Sequence, residues 1–274
     1  MGLGGYLCWT ALAREIKLKY GVKCIPMEVH GTTIKLIKSP IFFNNRNIIQ
    51  NFDGTPGVQM ILNHPASNYC IQDTPQKAFH KSDKHIIETI CEPYGIKNPK
   101  IKCEIFLSDE EVESVNTFTK QLSDNFIAIE PHSKTNYTPN RAYPVEKWQK
   151  IVNQLSKSIE IVQVGTEGPV LNNVTDMTGK TTFREAAGII GKSQLFLANE
   201  SGLVHAASAF DAKTLVVITG YQTKKMVSYP NNINIDISNH SPCGLKIVCP
   251  QCADEAKNHN ESVITEKILE ELCL

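Results

Sequence analysis

Residues 195–210 read LFLANESGLVHAASAF. The segment opens with four apolar residues in a row, a length and composition typical of a strand that is buried on both faces. It continues through the polar turn 199–201 and a glycine into an alanine-rich run. A buried strand that leads through a short turn into a helix is the repeating unit of a parallel sheet. This stretch therefore predicts an α/β fold.

The same alternation extends to both sides of this stretch. The predicted strands are 126–130, 159–164, 195–198 and 213–218, and the predicted helices are 144–155, 182–190 and 202–210. Thr182 and Glu185 have the spacing of a capping box at the start of a helix. Apolar strands separated by helices predict a parallel sheet that is covered on both faces.

The first half has a less regular pattern. A glycine-rich turn at residues 2–5 precedes a predicted helix at 7–19, and short β-branched runs predict strands at 22–29, 32–37 and 58–63. Helices are predicted at 81–94 and, after a capping box of Ser108 and Glu111, up to about residue 122. The change of rhythm at residues 123–125 predicts two Rossmann-like domains, 1–124 and 125–274.

Composition narrows the functional class. The chain has 274 residues, of which 41% are hydrophobic, and 28 basic residues balance 28 acidic ones. A balanced charge gives no field that favours nucleic acid, so we expect no nucleic-acid partner. No stretch is typical of a signal peptide or a membrane span, so we expect a cytoplasmic protein with at most peripheral membrane contact. We accordingly expect most of the nine cysteines to be reduced.

The loop at residues 199–205 carries the strongest functional signal. Ligands of open α/β sheets bind where strands end and helices begin. Gly202 permits the close approach of a phosphate to the backbone, Ser201 adds a hydroxyl, and His205 lies in the first helical turn. Glu200 is suited to accept hydrogen bonds from ribose or sugar hydroxyls. The alternative is a capped helix with a surface glutamate and a packed histidine.

Two further loops follow predicted strands. The first, 132–141, contains Ser133 and Arg141, and a guanidinium forms strong bonds with a diphosphate. The second, 164–168, contains Glu167, whose carboxylate could accept both hydroxyls of a ribose. Taken alone, the first is equally a solvated basic loop and the second an ordinary turn.

The three loops in this order resemble the heptosyltransferase family, the family 9 glycosyltransferases that extend lipopolysaccharide core sugars. Residues 200–205 match the family pattern acidic–Thr/Ser–Gly–Leu–x–His, and residues 176–185 resemble its Thr-Gly-x-Thr segment. Residues 141–148 are similar to its basic–x–Trp–Pro loop, with Tyr143 in place of the tryptophan. The resemblance covers residues 126–235 and extends weakly to the turn at 2–4.

The resemblance implies a GT-B architecture, in which two Rossmann-like domains face each other across a cleft. It implies inverting transfer of heptose from ADP-heptose without a metal in the active site and without a further cofactor. The acceptor would be a glycan, a glycolipid or a protein, at the inner face of the membrane. The donor site would consist of Ser133, Arg141, Glu167, Glu200, Ser201, Gly202, Leu203 and His205.

The chain departs from the family at its start. The family has an aspartate, its catalytic base, where this chain has Gly5, and it begins with a strand where this chain begins with the glycine turn. We therefore expect the first sheet to lack that strand. Glycine cannot accept a proton, so the base lies elsewhere or the chain is a nucleotide-sugar-binding module without catalysis. Another GT-B enzyme, such as a sugar-nucleotide epimerase or hydrolase, is the remaining alternative.

A cysteine cluster follows the resembling region. His240, Cys243, Cys249 and Cys252 have the spacing His-x2-Cys-x5-Cys-x2-Cys, which supplies enough ligands for a tetrahedral structural zinc. Only the pair Cys249 and Cys252 has the usual spacing of a zinc knuckle. Reduced thiols without metal are the default interpretation. A terminal amphipathic helix is predicted at 264–272.

Overall fold

The computed structural model describes residues 2–51, 54–63, 70–74, 77–80 and 83–273. Its strands are β1 (Lys23–His30), β2 (Thr33–Leu36), β3 (Gly57–Ile61), β4 (Cys70–Thr74), β5 (Lys77–His80), β6 (Phe126–Glu130), β7 (Glu160–Gln163), β8 (Thr175–Asp176), β9 (Leu195–Asn199), β10 (Thr214–Ile218) and β11 (Asn232–Asp236). Its helices are α1 (Leu3–Tyr20), α2 (Ile86–Cys91), α3 (Asp109–Thr119), α4 (Val145–Leu155), α5 (Phe183–Lys192), α6 (Gly202–Ala209), α7 (Lys224–Val227), α8 (Pro250–Asn258) and α9 (Ser262–Leu272).

A six-stranded sheet organises the second half. Its strand order is β11-β10-β9-β6-β7-β8, and every neighbouring pair is parallel. All residues of β9 and β10 are buried, because helices cover both faces of the sheet. The parallel α/β prediction is confirmed. The edge strands β8 and β11 were not predicted, since β8 has only two residues and β11 alternates asparagine with isoleucine.

The first half contains a smaller sheet with the order β2-β1-β3. β1 and β3 are parallel, whereas β2 returns from β1 as an antiparallel neighbour. A separate two-stranded ribbon consists of β4 and β5. The predicted helix at 81–94 corresponds to α2 and the 3-10 turn 92–94, and its first two residues lie outside the described part of the chain.

Both predicted capping boxes are present. The Ser108 hydroxyl accepts a hydrogen bond from the Glu111 N–H, and the Glu111 carboxylate accepts one from the Ser108 N–H, at the start of α3. Thr182 and Glu185 make the same reciprocal pair at α5. These pairs satisfy N–H groups that the helix itself leaves without partners. The helix predicted to begin at Pro144 begins one residue later, with Pro144 as its N-cap.

The largest buried apolar cluster crosses between the two halves. It includes Leu7 and Trp9 of α1 together with Phe196 of β9 and Val204 of α6. Away from this cluster, Arg184 of α5 forms an ion pair with Glu111 of α3 at 2.7 Å, and Arg184 is almost fully buried. The halves therefore share a core, and the domain boundary near residue 124 stays a prediction.

Helices α1 and α6 pack against each other at two glycines, Gly4 and Gly202. A methyl group added at Gly4 would lie 2.9 Å from the Cα of Gly202 and 2.9 Å from Cδ2 of His205. Such contacts are too short, and the Gly202 partner is backbone that cannot rotate away. The glycine pair thus fixes the distance between the two helix starts.

We expect Gly4→Ala to lower the free energy of unfolding by about 1–3 kcal/mol, because overpacking forces one helix to shift. Chemical denaturation measures the change. Gly2→Ala is the matched control, since an added methyl at Gly2 meets nothing within 4 Å, and we expect a change within about 0.5 kcal/mol. Equal stability of the two variants would show that the helices are not in contact at Gly4.

Candidate functional site

A cleft of about 720 Å³ lies between the two halves. The first half lines it with residues 2–5, with Glu28 of β1 and with the two residues after β3, and the second half lines it with loops that follow β6, β7 and β9. The predicted glycine turn at 2–5 is the start of α1, which begins at Leu3, four residues earlier than predicted. All eight residues of the sequence-predicted donor site line this cleft: Ser133, Arg141, Glu167, Glu200, Ser201, Gly202, Leu203 and His205. The fold thus brings together loops that are far apart in the chain.

The start of α6 faces the cleft without a side-chain cap. Ser201 occupies the N-cap position, but it makes no capping bond to the helix. Its hydroxyl instead donates a hydrogen bond to Oε2 of Glu130 at the end of β6. The N–H groups of the first turn of α6 are therefore left for a ligand, and the helix dipole favours an anion there.

The start of α1 faces the same cleft. Its N-cap is Gly2, which has no side chain to cap the helix, and Gly2, Leu3, Gly4 and Gly5 all line the cleft. Two helix N-termini therefore converge on one cavity, and their partial positive charges add. The glycine pair Gly4 and Gly202 makes this convergence sterically possible.

Arg141 is held at the cleft by three groups. Its Nε lies 3.1 Å from Oε2 of Glu200. Its guanidinium carbon lies 4.8 Å from the ring centre of Tyr221 and 5.6 Å from that of Tyr137. Cation–π contacts of this kind hold a guanidinium in place while some of its N–H groups stay available. Ser133 supports the same loop, because its hydroxyl donates to the Arg141 carbonyl at 3.0 Å.

Glu200 and Glu167 have different environments. Glu200 is only 5% exposed and lies against Arg141. Burial raises the pKa of the Glu200 carboxyl, and the Arg141 charge opposes that shift. Glu200 therefore orients Arg141 and also lines the cleft, and its predicted bonds to ribose or sugar hydroxyls stay a prediction. Glu167 is exposed on the loop after β7, and it is free to turn toward a ligand.

His205 is both a cleft residue and a packed histidine, the two alternatives that the sequence left open. It lines the cleft, yet it is only 8% exposed, and its Nδ1 lies 2.6 Å from the Tyr229 hydroxyl. Burial lowers the pKa of His205 to about 3. The imidazole is therefore neutral at physiological pH, and it is a packed histidine whose edge reaches the cleft.

Glu130 is a cleft residue that the sequence analysis did not select. It ends β6, lines the cleft and accepts the Ser201 hydrogen bond. Burial raises the pKa of Glu130 to about 8, although the Ser201 bond and the Lys134 charge lower it. A polar residue at the carboxyl end of an otherwise apolar strand is the signal that could have identified it.

Glu28 is a second cleft residue that the sequence analysis did not select. It belongs to β1 and lines the cleft from the first half, as do Gly5 and Asn63. Its Oε2 lies 3.0 Å from Nε2 of His30 on the same strand. Among the described cleft residues, the other carboxylates are Glu130, Glu167 and Glu200, which all come from the second half.

Ionisation of Glu130 predicts a pH effect on anion binding. Its folded-state pKa of about 8 means that Glu130 is neutral at pH 7 and becomes charged as the pH rises through about 8. The new charge, next to Ser201 and only partly offset by Lys134, repels an anion at the start of α6. We expect the affinity for ADP to fall roughly tenfold between about pH 7 and pH 9, as measured by isothermal titration calorimetry.

Glu130→Gln removes the titrating group and keeps its hydrogen-bonding capacity, so we expect its ADP affinity to change little over the same range. A raised pKa also adds stability that is full below about pH 4.5 and lost as the pH passes about 8. The unfolding free energy of the unmodified protein should thus fall relative to Glu130→Gln across that interval. Parallel pH profiles for the two proteins would contradict the assignment.

The predicted cysteine cluster lies outside the cleft, after β11. His240, Cys249 and Cys252 place one ligand atom each within 4.8 Å of one another. Cys243 lies within hydrogen-bonding reach of the thiols of Cys249 and Cys252. All four predicted ligands are therefore neighbours in space. The cysteines outside the cluster that the structure describes are free thiols.

Comparison with known proteins identifies the family. Residues 79–255 match the model of glycosyltransferase family 9 (heptosyltransferase). The match covers more than half of the chain, so the chain belongs to this family. No curated protein matches the chain significantly by sequence.

Solved structures share the fold. ADP-heptose lps heptosyltransferase II of E. coli aligns with a TM-score of 0.54 and 13% identity, over 69% of this chain and 62% of that protein. A family 9 glycosyltransferase from Veillonella parvula DSM 2008 aligns with a TM-score of 0.67 and 12% identity, over 99% of this chain and 94% of that protein. The iron-containing dodecameric glycosyltransferase TibC from enterotoxigenic E. coli H10407 aligns with a TM-score of 0.69 and 12% identity, over 100% of this chain and 75% of that protein. The fold is therefore that of the GT-B-type heptosyltransferases.

The chain spans less than two thirds of the length of the E. coli heptosyltransferase II. In the described ranges, none of the helices has both the length and the apolar character needed to cross a membrane.

Proposed function

We propose that this chain transfers a sugar, heptose or a similar one, from an ADP-sugar to a hydroxyl group of a glycan, glycolipid or protein acceptor. The reaction inverts the anomeric centre and uses no metal at the donor site. The observation that carries the proposal is the convergence of two uncapped helix N-termini and Arg141 on one cleft. Membership of family 9 supports the same reaction class.

The diphosphate of the donor binds at the start of α6. The N–H groups of Gly202 and Leu203 face its oxygens, and the Ser201 side chain is held aside by Glu130. Arg141 reaches the diphosphate from the loop after β6, where Glu200 and Tyr221 hold its guanidinium. Charge-assisted bonds from a preoriented guanidinium are strong and geometrically selective.

These same groups stabilise the leaving group. As the bond between the sugar and the diphosphate breaks, negative charge accumulates on the departing phosphate oxygen. Fixed N–H dipoles and the Arg141 charge stabilise that charge more than they stabilise the intact donor, and this difference lowers the barrier. Because Glu130 is neutral at pH 7, it does not oppose the developing charge.

The nucleoside is recognised on the side of the cleft that Glu167 borders. An exposed carboxylate next to the diphosphate site can accept hydrogen bonds from both ribose hydroxyls. We assign adenine as the base because TibC, with a TM-score of 0.65 to this chain, has been solved in complex with ADP-D-beta-D-heptose.

Glu28 is the catalytic base of the proposed reaction. Inversion by direct displacement requires a base on the acceptor side, opposite the leaving group. Glu28 is the carboxylate that the first half contributes to the cleft in the described residues, and Gly5, at the position of the family's aspartate, lines the same cleft. The contact with His30 holds the Glu28 carboxylate in place.

A nucleotide-sugar-binding module without catalysis is the second candidate. The observation that favours it is Gly5, which lines the cleft but cannot accept a proton. Both candidates require donor binding, and they differ in whether the bound donor is consumed.

Thermal denaturation with a panel of ADP-, GDP- and UDP-sugars tests donor binding. We expect ADP-sugars to raise the melting temperature more than the others, because a ligand that binds only the native state stabilises it by about 2.7 kcal/mol at a hundredfold excess over Kd. Release of ADP in the same samples separates the enzyme from the binding module. Absence of a shift with every nucleotide would overturn the proposed function.

A further inference from the structure

We infer that His240, Cys243, Cys249 and Cys252 bind one thiolate-preferring transition-metal ion, for which Zn²⁺ is the expected occupant, and that this ion holds the Arg141 loop in place. Three thiols and one imidazole are a common ligand set of structural zinc sites. The metal site itself does not depend on the proposed function; its effect on nucleotide binding does.

The distances from His240 to the sulfurs of Cys249 and Cys252 have the values that a tetrahedral ion imposes, and these three ligand atoms lie within 4.8 Å of one another. His240 Nε2 lies 3.6 Å from Sγ of Cys249 and 3.4 Å from Sγ of Cys252. With metal–sulfur bonds of about 2.3 Å and metal–nitrogen bonds of about 2.05 Å, tetrahedral geometry separates nitrogen from sulfur by about 3.5 Å. The Cys243 thiol interacts with the other two thiols but lies outside this group of three, so it would supply the fourth ligand after a small movement of its side chain.

The other ring nitrogen of His240 has partners that orient it. Nδ1 lies 3.1 Å from Oε2 of Glu255 and 3.2 Å from the Ser238 hydroxyl. A metal-binding histidine typically directs its second nitrogen at a carboxylate, which fixes the ring and makes the first nitrogen a better ligand. Glu255 therefore completes a carboxylate–histidine arrangement around the site.

The backbone is shaped around the thiols. Cys249 is the N-cap of α8, and Cys252 lies in its first turn, where the helix dipole favours thiolate over thiol. Gly220 has a φ of +109°, and an added methyl group there would lie 2.9 Å from the Cys252 sulfur. Cys249 and Cys252 are buried, so a bound ion would be shielded from water on that side.

The segment between the ligands is bonded to the loop that carries Arg141. The Cys249 N–H donates to Oδ1 of Asn140 at 2.8 Å, and the Asn140 amide donates to the carbonyls of Leu245 and Ile247, each at 2.8 Å. The Thr138 hydroxyl donates to the same Leu245 carbonyl at 2.7 Å. Asn140 directly precedes Arg141, so these hydrogen bonds connect the metal-binding segment to the backbone that positions the Arg141 guanidinium.

A second connection passes through Tyr221. The Cys243 N–H donates to the Gly220 carbonyl at 2.8 Å, and the next residue, Tyr221, stacks on the Arg141 guanidinium. Each of the two connections to Arg141, through Asn140 and through Tyr221, therefore starts at a proposed metal ligand, Cys249 or Cys243. Loss of the ion would free the segment 243–249 and loosen the position of Arg141.

Metal analysis of the full-length chain by inductively coupled plasma mass spectrometry tests the site. We expect about one zinc atom per chain, its loss in Cys252→Ser, and its retention in Cys273→Ser. Cys273 is exposed and lies outside the cluster, so it is the matched control. A metal content near zero in the unmodified protein, or an unchanged content in Cys252→Ser, would overturn the inference.

Chelation of the folded, unmodified protein is a second test of the metal site, and it does not depend on whether Cys252→Ser folds. We expect a chelator to lower the melting temperature, Zn²⁺ to restore it, and Co²⁺ to give the visible absorption of a tetrahedral thiolate complex. No change in melting temperature and no cobalt spectrum would overturn the site.

Calorimetric titration of ADP before and after chelation tests the support of Arg141. We expect Kd to rise about tenfold without metal, because the guanidinium loses its preorganisation. Metal binding with an unchanged Kd would overturn the positioning role alone. Metal binding in a protein that binds no ADP would leave the site in place and contradict the proposed function instead.

Discussion

Glu28→Gln is expected to lower the turnover of sugar transfer by about 10²- to 10⁴-fold, the usual contribution of a general base. Glutamine has the same shape as glutamate but cannot accept the proton of the acceptor hydroxyl. ADP release from an ADP-sugar, with a glycan acceptor or with water in its place, measures the turnover. The Kd for ADP should change little, because Glu28 lies on the first-half side of the cleft.

Glu266→Gln is the matched control for this prediction. Glu266 is an exposed glutamate on α9, and its replacement should leave turnover unchanged. If Glu28→Gln releases ADP within about twofold of the unmodified protein, Glu28 is not the base. If the unmodified protein binds the donor and never consumes it, the binding module is the correct candidate.

Arg141→Ala is expected to weaken ADP binding by about 10- to 100-fold, because the variant loses charge-assisted bonds worth about 1.5–3 kcal/mol. Isothermal titration calorimetry measures the loss. Arg141→Lys keeps the charge but loses the planar guanidinium and its stacking on Tyr221, so we expect an intermediate affinity.

Two controls separate binding from folding in this experiment. Alanine at position 141 leaves Glu200 buried without its arginine, so Arg141→Ala is compared with the double variant that also carries Glu200→Gln. Lys157→Ala removes an exposed positive charge and should leave Kd unchanged. An unaltered Kd in the folded Arg141→Ala protein would mean that the diphosphate binds elsewhere in the cleft.

Much of the second half could be predicted from sequence because its signals are local. A run such as 195–198 is apolar enough to identify a buried strand, and capping boxes such as Thr182 with Glu185 mark a helix start within four residues. The donor loops follow from the same rule, since the carboxyl ends of parallel strands meet at one edge of the sheet. The eight predicted residues accordingly line one cleft.

The features that escaped prediction depend on contacts between distant parts of the chain. Nothing local indicates that Gly4 would lie against Gly202, or that Glu28 on β1 would face the same cleft as Arg141. Glu130 resembled an ordinary strand end until the structure showed that burial raises its pKa to about 8. The distances from His240 to Cys249 and Cys252 likewise depend on the folded loop. The sequence indicated only that Cys249 and Cys252 have the spacing of a zinc knuckle.

A crystal structure of the chain with ADP tests most directly whether a diphosphate binds where β9 turns into α6. We expect phosphate oxygens within about 3 Å of the N–H groups of Gly202 or Leu203 and of the Arg141 guanidinium. ADP that lies away from both the turn and Arg141 would contradict the account, as would a turn that stays closed against α1 while ADP is bound elsewhere.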